Sequence, residues 1–338
     1  MRLANSLCAF LFCSLTTGLA MAEEMVGFRQ LSLADGPVMI WYPTEQTAPI
    51  SKVAENKVFF GVEVVADAPV SSGNHPLVIL SHGYSGLWRN QAWLADYLAR
   101  AGYVVAAFDH AGTSYSSMDP PWATKLARRP HQISEILTAL LANETVGGRI
   151  DQSRISVIGH SLGGSSALFL AGGIFEPARL IEACGNDTDK LLCKLYRAGG
   201  LSKDMEAVSA HDQRISSIVL LDMEGVRAFT PESLGAINIP VLALVSGVED
   251  PALPLHWEGR QQAALLPTSI SRYSEIAGAT HFSFMSLCKP GAIEMLEEEA
   301  YVCKGETAPR EQLHQQIAQT VITFLNSGRQ MVSALQAP

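Results

Sequence analysis

The sequence predicts an α/β fold, with a mostly parallel central sheet flanked by helices on both faces. Three observations carry that expectation. Apolar runs of strand length alternate with amphipathic runs of helix length through most of the chain. Several strand candidates, such as Ile218–Leu221 and Val241–Val245, are apolar throughout, which suits strands covered on both faces. The strand candidate Ile155–Ile158 runs through a turn of small residues straight into a helical run at Ser165–Ala171, the connection expected inside a β-α-β unit.

Taken in order, Phe28–Leu33 alternates, Asp35-Gly36 signals a turn, and Val38–Tyr42 is a second strand ended by Pro43. Residues 44–75 read as loop with short strand pieces, their polar and Pro-bearing parts at the surface. Pro76–Leu80 is a buried-type strand. Asn90–Ala101 is an amphipathic helix with Trp93, Leu94, Tyr97 and Leu98 on one face and Gly102 at its end. Tyr103–Phe108 is a strand and His131–Leu141 a helix. Ser271–Ile276 is a last strand and Gln312–Leu325 a closing helix. Residues 172–213 break the rhythm with Gly172-Gly173, Pro177, two cysteines and Gly199-Gly200. They read as an insertion above the sheet, either a lid over a site or an ordinary excursion.

The chain has 338 residues, 48% of them apolar, and a net charge of −9. That composition supports a sizeable core and carries no basic stripe of the kind that binds nucleic acid. Arg2, the apolar run Leu7–Thr17 and the Ala-x-Ala ending at Ala22 predict a secretory signal over residues 1–22. The apolar run is shorter than the ~20 residues of a membrane span, so the expectation is a periplasmic or secreted protein whose residues 23–338 form one domain. The mature chain keeps Cys184, Cys193, Cys288 and Cys303. Local pairing, Cys184 with Cys193 and Cys288 with Cys303, is the simplest of three connectivities and suits an oxidising compartment. The two pairs lie far apart without a histidine at finger-like spacing, which argues against zinc.

The chemistry centres on Gly159-His160-Ser161-Leu162-Gly163. A serine between a strand and a helix sits on a sharp turn with its hydroxyl exposed, and flanking glycines remove side chains that would collide there. Its hydroxyl needs a base, and the base an acid to fix its tautomer. The turn resembles that of the α/β-hydrolases, whose order implies that both follow the serine, acid first. His281, in Gly278-Ala279-Thr280-His281-Phe282, is the expected base. His211 and His256 fit the chain order poorly, and His314 reads as a surface residue of the closing helix. Asp250, one loop beyond Val241–Val245, is the preferred acid. Asp222, directly after Ile218–Leu221, is the second choice and Glu249 the third. Backbone amides of Leu162 and of Tyr84, in the loop after Pro76–Leu80, are the expected oxyanion donors. His82 reads as support for that loop.

Taken together, Ile40–Pro43, Leu80–Tyr84, Phe108–His110, Gly159–Gly164 and Ala279–Phe284 resemble the α/β-hydrolase superfamily, over nearly the whole mature chain. More narrowly, they resemble bacterial predicted dienelactone hydrolases and the platelet-activating factor acetylhydrolase group. The resemblance implies an α/β-hydrolase fold with Ser161 as nucleophile, His281 as base and Tyr84 and Leu162 as oxyanion donors. It divides on the acid: most of the superfamily points to Asp250, the acetylhydrolase group to Asp222. True dienelactone hydrolases carry cysteine at the elbow, where this chain has Ser161. The expected function is a secreted serine carboxylesterase working through an acyl-enzyme on a small or lipid-like ester, with no metal or organic cofactor. A lipase or phospholipid acyl-ester hydrolase and a polyester hydrolase are the alternatives. An acyltransferase, a peptidase and a non-catalytic binding protein on the same scaffold stand further off.

Overall fold

The structure, a computed structural model, describes residues 25–33, 36–186 and 189–335. The proposed signal segment and Asp35 of the first turn lie outside them. Twelve strands are present among the described residues. The first four are β1 (Met25–Leu33), β2 (Gly36–Thr44), β3 (Ile50–Val53) and β4 (Val62–Ala66), followed by β5 (His75–Ser81) and β6 (Val104–Phe108). Two short pieces, β7 (Thr113–Ser114) and β8 (Ser117–Met118), pair with each other. The rest are β9 (Ile150–His160), β10 (Ser217–Leu221), β11 (Val241–Ser246) and β12 (Ser271–Ile276). Ten of them form one sheet in the order β12-β11-β10-β9-β5-β6-β2-β1-β4-β3. From β12 to β6 all neighbours are parallel, and β2 joins β6 antiparallel. This is the α/β-hydrolase fold with a mixed, mostly parallel sheet.

The parallel strands are apolar throughout because helices cover both faces. In β5, Leu77 and Ile79 point into one core and Val78 and Leu80 into the other, as the two-residue period of a strand requires. The first core is closed by α2 (Arg128–Ala142) and α3 (Leu162–Leu170), and the second by α1 (Ala92–Arg100) and α9 (Arg310–Leu335). Each fully buried Leu, Ile or Val side chain is worth about 1.5–3 kcal/mol. α2 starts three residues before the expected His131. Pro130 is tolerated in its first turn, where a missing N–H breaks no helical bond. Among the described residues no helix is long and apolar enough to cross a membrane.

The segment 172–213 contains α4 (Pro177–Cys184) and α5 (Leu191–Ala198), tied by a Cys184–Cys193 disulfide with Cα atoms 5.7 Å apart. Its root is anchored where Phe175 pairs with Val208 and Phe229. Cys288–Cys303 closes the second expected loop around the short α8 (Ala292–Leu296). Two further short helices, α6 (Pro231–Gly235) and α7 (Gly259–Leu265), follow β10 and β11.

Strand order reverses at β5. The chain passes from β5 to β6 on one side and later returns to β9 on the other. Ligands bind at such a switch point, beyond the carboxyl ends of the strands. The loop Ser81–Gly86 leaves β5 there, and Ser161 leaves β9.

Candidate active site

Ser161 takes φ +54°, ψ −121°, a backbone conformation that non-glycine residues avoid. The neighbours hold it there. Its amide bonds to Leu221 O at 3.0 Å, and Gly164 N bonds to Ser161 O at 2.9 Å. A Cβ on Gly159 would meet Gly163 O at 2.0 Å, and one on Gly163 would meet Ser81 O at 2.0 Å. Both contacts are with backbone, so only glycine permits the close passage of β9, α3 and the loop after β5.

His281 opens a 3-10 turn, His281–Phe284, after β12, and is 8% exposed. Its Nδ1 lies 2.7 Å from Asp222 Oδ2. The carboxylate also accepts the Ser246 amide on Oδ1 at 2.7 Å. Burial alone would push the Asp222 carboxyl up. The hydrogen bond and charge of His281, with the Ser246 amide, hold it below the ordinary aspartate value instead. Donation from Nδ1 to the carboxylate leaves Nε2 free to accept a proton.

The structure therefore corrects the expectation about the acid. Asp222, and not Asp250, is the carboxylate on His281. Asp222 sits at the very end of β10 with φ +43°, where the adjacent end of β11 supplies the Ser246 amide. Asp250 lies farther out on the loop after β11. It is exposed, and its Oδ1 accepts the Ala252 amide in a local turn. Glu249 is also exposed and faces His256. Asp222 is the position that the resemblance to the acetylhydrolase group implied.

Three buried histidines brace the turn and the elbow without titrating near neutrality. His160 donates from Nε2 to His281 O at 2.9 Å, and its ring lies 4.7 Å from that of His281. His314 is not a surface residue. It is 4% exposed, stacks on Trp93 at 3.7 Å, and its Nε2 reaches Ser283 O and Met285 O, each at 3.0 Å. The Trp93 indole donates to Phe284 O at 3.0 Å, so α1 and α9 together clamp the turn that carries His281. His82 donates from Nδ1 to Gly83 O at 2.7 Å and accepts the His110 amide on Nε2 at 2.9 Å, supporting its loop as expected. Burial lowers His82, His160 and His314 to about 3.

The Tyr84 loop rests on a buried cation that the sequence did not disclose. Arg129, 3% exposed, donates to His82 O, to Ser81 Oγ at 3.3 Å, to Thr113 Oγ1 at 2.6 Å and to Ser166 Oγ at 3.1 Å. Burial lowers its pKa to about 9, which still leaves the guanidinium charged at neutral pH. His110 continues the network, with Ser81 Oγ at 2.9 Å and Gln132 Oε1 at 3.0 Å. Arg129 follows another arginine in a helical run, and nothing in that local pattern separates a buried residue from a solvated one.

Ser161, Leu162, Tyr84 and His281 line one cavity of about 30 Å³. Leu191, Leu192, Leu195 and Tyr196 of α5, with Trp122, Leu253 and Glu224, complete its wall. A groove of about 710 Å³ shares His281, Leu191 and Leu253 and runs on past Phe282, Tyr301 and the 249–252 loop. Asp222, Glu224 and His281 are the one metal-capable grouping among the described residues, but the His281–Asp222 hydrogen bond already occupies two of its members.

Residues 45–174 match the family model described as PET hydrolase-like. The chain is 26% identical to Cutinase 2 of Thermobifida cellulosilytica, over 70% of this chain and 74% of that one. It is 26% identical to Cutinase cut1 of Thermobifida fusca, again over 70% of this chain but only 60% of the relative's length. In structure, a ferulic acid esterase from Streptomyces cinnamoneus superposes with a TM-score of 0.62 at 19% identity, covering 90% of each chain. These likenesses lie with cutinases and PET hydrolase-like proteins, not with the narrower groups the motifs suggested. The sheet topology, the strained serine after β9 and the histidine–aspartate pair facing the same cavity give the chain the α/β-hydrolase fold with a serine, a histidine and an aspartate gathered at the switch point.

Proposed function

We propose that the protein hydrolyses carboxylic esters through an acyl-enzyme, as a cutinase or polyester-hydrolase type enzyme. The observation that carries this reading is the convergence of Ser161 and the Asp222-paired His281 on one cavity. The likeness to cutinases and to the PET hydrolase-like family model supports the polyester side of it. So does the groove of about 710 Å³, which offers an extended substrate room beyond His281.

In the proposed cycle Ser161 Oγ attacks the ester carbonyl and gives its proton to His281 Nε2. Asp222 holds the imidazole in the required tautomer and stabilises the imidazolium. Amides of Tyr84 and Leu162 receive the charge developing on the carbonyl oxygen. His281 then protonates the leaving alcohol, and a water activated by the same nitrogen releases the acid. The α5 residues on the cavity wall support a cap role for the 172–213 segment. The two disulfides support export to an oxidising compartment.

A fluorophosphonate probe with mapping of the adduct tests the chemistry, and labelling is expected at Ser161 alone. Labelling that persists in Ser161→Ala sinks the assignment. Release of soluble acids from an aliphatic polyester film, measured beside a series of p-nitrophenyl esters, tests the polyester reading. Turnover of the small esters with no release from film would restrict the activity to soluble esters.

A further inference from the structure

Glu224 stands two residues beyond Asp222 and has no part in the proton relay. It is 7% exposed and lines the small cavity together with Ser161, and its Oε2 is buried without a protein hydrogen-bond partner. An unsatisfied buried polar group costs about 1–3 kcal/mol. The wall around it offers mainly apolar groups, from Leu162, Leu191, Leu192, Leu195 and Leu253. The polar groups nearby are Tyr196 Oη, likewise buried without a partner, and the His281–Asp222 pair, whose ring nitrogen and carboxylate oxygen lie within 4.8 Å of a Glu224 oxygen. A bound ligand is the natural partner for Glu224.

The ionisation of this carboxyl is set from behind. Glu258, next to α7, is equally buried and accepts the amides of Gly225 and Val226 at 2.8 and 3.1 Å. Burial, then the charges of Glu258, Asp222 and Asp250, push the Glu224 carboxyl well above the ordinary value. That shift favours the protonated carboxyl, which has one O–H to donate.

The cavity also has a direction. Ser161, Tyr84, Leu162 and His281 all border the cavity, whereas the groove borders only His281 of these, so the alcohol that His281 protonates is placed toward the groove. The acyl group then enters the cavity beside Tyr84 and Leu162. A volume of about 30 Å³ holds on the order of two waters, or about three non-hydrogen atoms.

We infer that Glu224 is a specificity-determining residue that donates a hydrogen bond to an oxygen carried on a short acyl group, making esters of small 2- or 3-oxygenated acids the preferred substrates. This rests on the ester-hydrolase reading and narrows it. The hydroxyl-bearing end of a polyester built from short hydroxy acids presents such an acyl unit. A long unbranched fatty acyl chain supplies no such acceptor.

The test compares p-nitrophenyl methoxyacetate with p-nitrophenyl butyrate, two esters of nearly equal shape that differ by one ether oxygen. The readout is the ratio of their kcat/KM values in the wild type, Glu224→Gln and Glu224→Leu. Glu224→Leu should lower the methoxyacetate-to-butyrate ratio about tenfold, the worth of one hydrogen bond of about 1.4 kcal/mol. Glu224→Gln keeps a donor and should stay within about threefold of the wild-type ratio. Should Glu224→Leu not fold by circular dichroism, Glu224→Met takes its place with the same expectation. An unchanged ratio in the apolar variant, with both esters still turned over, overturns the role of Glu224 alone. A wild type that hydrolyses neither ester overturns the ester-hydrolase reading and this inference with it.

Discussion

Replacing Asp222 by Asn isolates the choice between the two aspartates. Asp222 is 3% exposed, and its two oxygens are both engaged, Oδ1 by the Ser246 amide and Oδ2 by His281 Nδ1. In Asp222→Asn the amide oxygen remains on Ser246 N–H, which turns the NH₂ group toward His281. Two donors cannot face each other, so Nδ1 gives up its proton and Nε2 takes it. That tautomer cannot accept the serine proton, and the imidazolium loses its counter-charge. In a serine protease triad the same exchange lowers kcat by about 10⁴. We expect a loss of about 10³–10⁴ here, or about 4–5.5 kcal/mol in the barrier. KM should move little. Asp250→Asn should stay within about threefold of wild type, because Asp250 is exposed and its bond is a local turn with Ala252. The assay is kcat on p-nitrophenyl butyrate, normalised to Ser161 titrated with a fluorophosphonate. Activity of Asp222→Asn within tenfold of wild type, or a comparable collapse in Asp250→Asn, refutes the assignment.

Three further outcomes follow from the same geometry. Gly163→Ala would drive a Cβ to 2.0 Å from Ser81 O, and backbone on both sides cannot yield cheaply. A loss of about 3 kcal/mol or more is expected in urea unfolding, and an unchanged midpoint would contradict the packing. Arg129→Met removes the cation that holds His82 O and Ser81. As the Tyr84 amide loses its aim, kcat should fall about tenfold to hundredfold with Ser161 still labelled by the probe, whereas full activity would show that the loop stands without it. Stability should also peak near pH 6.5. His82, His160 and His314 have pKa values lowered to about 3, and His110 lies well below its usual value, so the unfolded chain binds more protons as pH falls below about 6.5, and stability drops by up to about 1.4 kcal/mol per unit for each. Glu258, raised to about 8, and Glu224, raised well above its usual value, act in the opposite sense. The native state keeps their protons, and their contribution is lost as pH rises from about 4.5 toward 8. Urea midpoints measured across that range test both limbs, and a flat profile would contradict the burial of these groups.

Much of the fold was legible because apolar periodicity is local. Ser271–Ile276 appears as a strand with the expected bounds, and the strands before it differ at their ends by a few residues. Both disulfides join cysteines close in sequence, so local pairing was the simplest guess and the structure has it. Helix starts were less clear. Pro130 reads as a barrier, yet the first turn of α2 accommodates it. His314 was misread because a single polar residue in a helical run does not reveal which face it occupies. The stacked Trp93, 221 positions earlier in the chain, decides that.

By itself the sequence determined the α/β layering, the serine on its strand-to-helix turn and the histidine beyond the last strand, since each depends on residues adjacent in the chain. Only the tertiary structure decided which aspartate meets His281. Asp222 and Asp250 follow neighbouring parallel strands, β10 and β11, and spacing along the chain cannot say which loop turns inward. The amide of Ser246, at the end of β11, fixes Asp222 in place. The burial of Arg129 and of Glu224 was likewise decided in three dimensions. Whether a charged side chain is solvated or enclosed depends on which remote segments close over it, and for Glu224 those are α5, the Tyr84 loop and the start of α7.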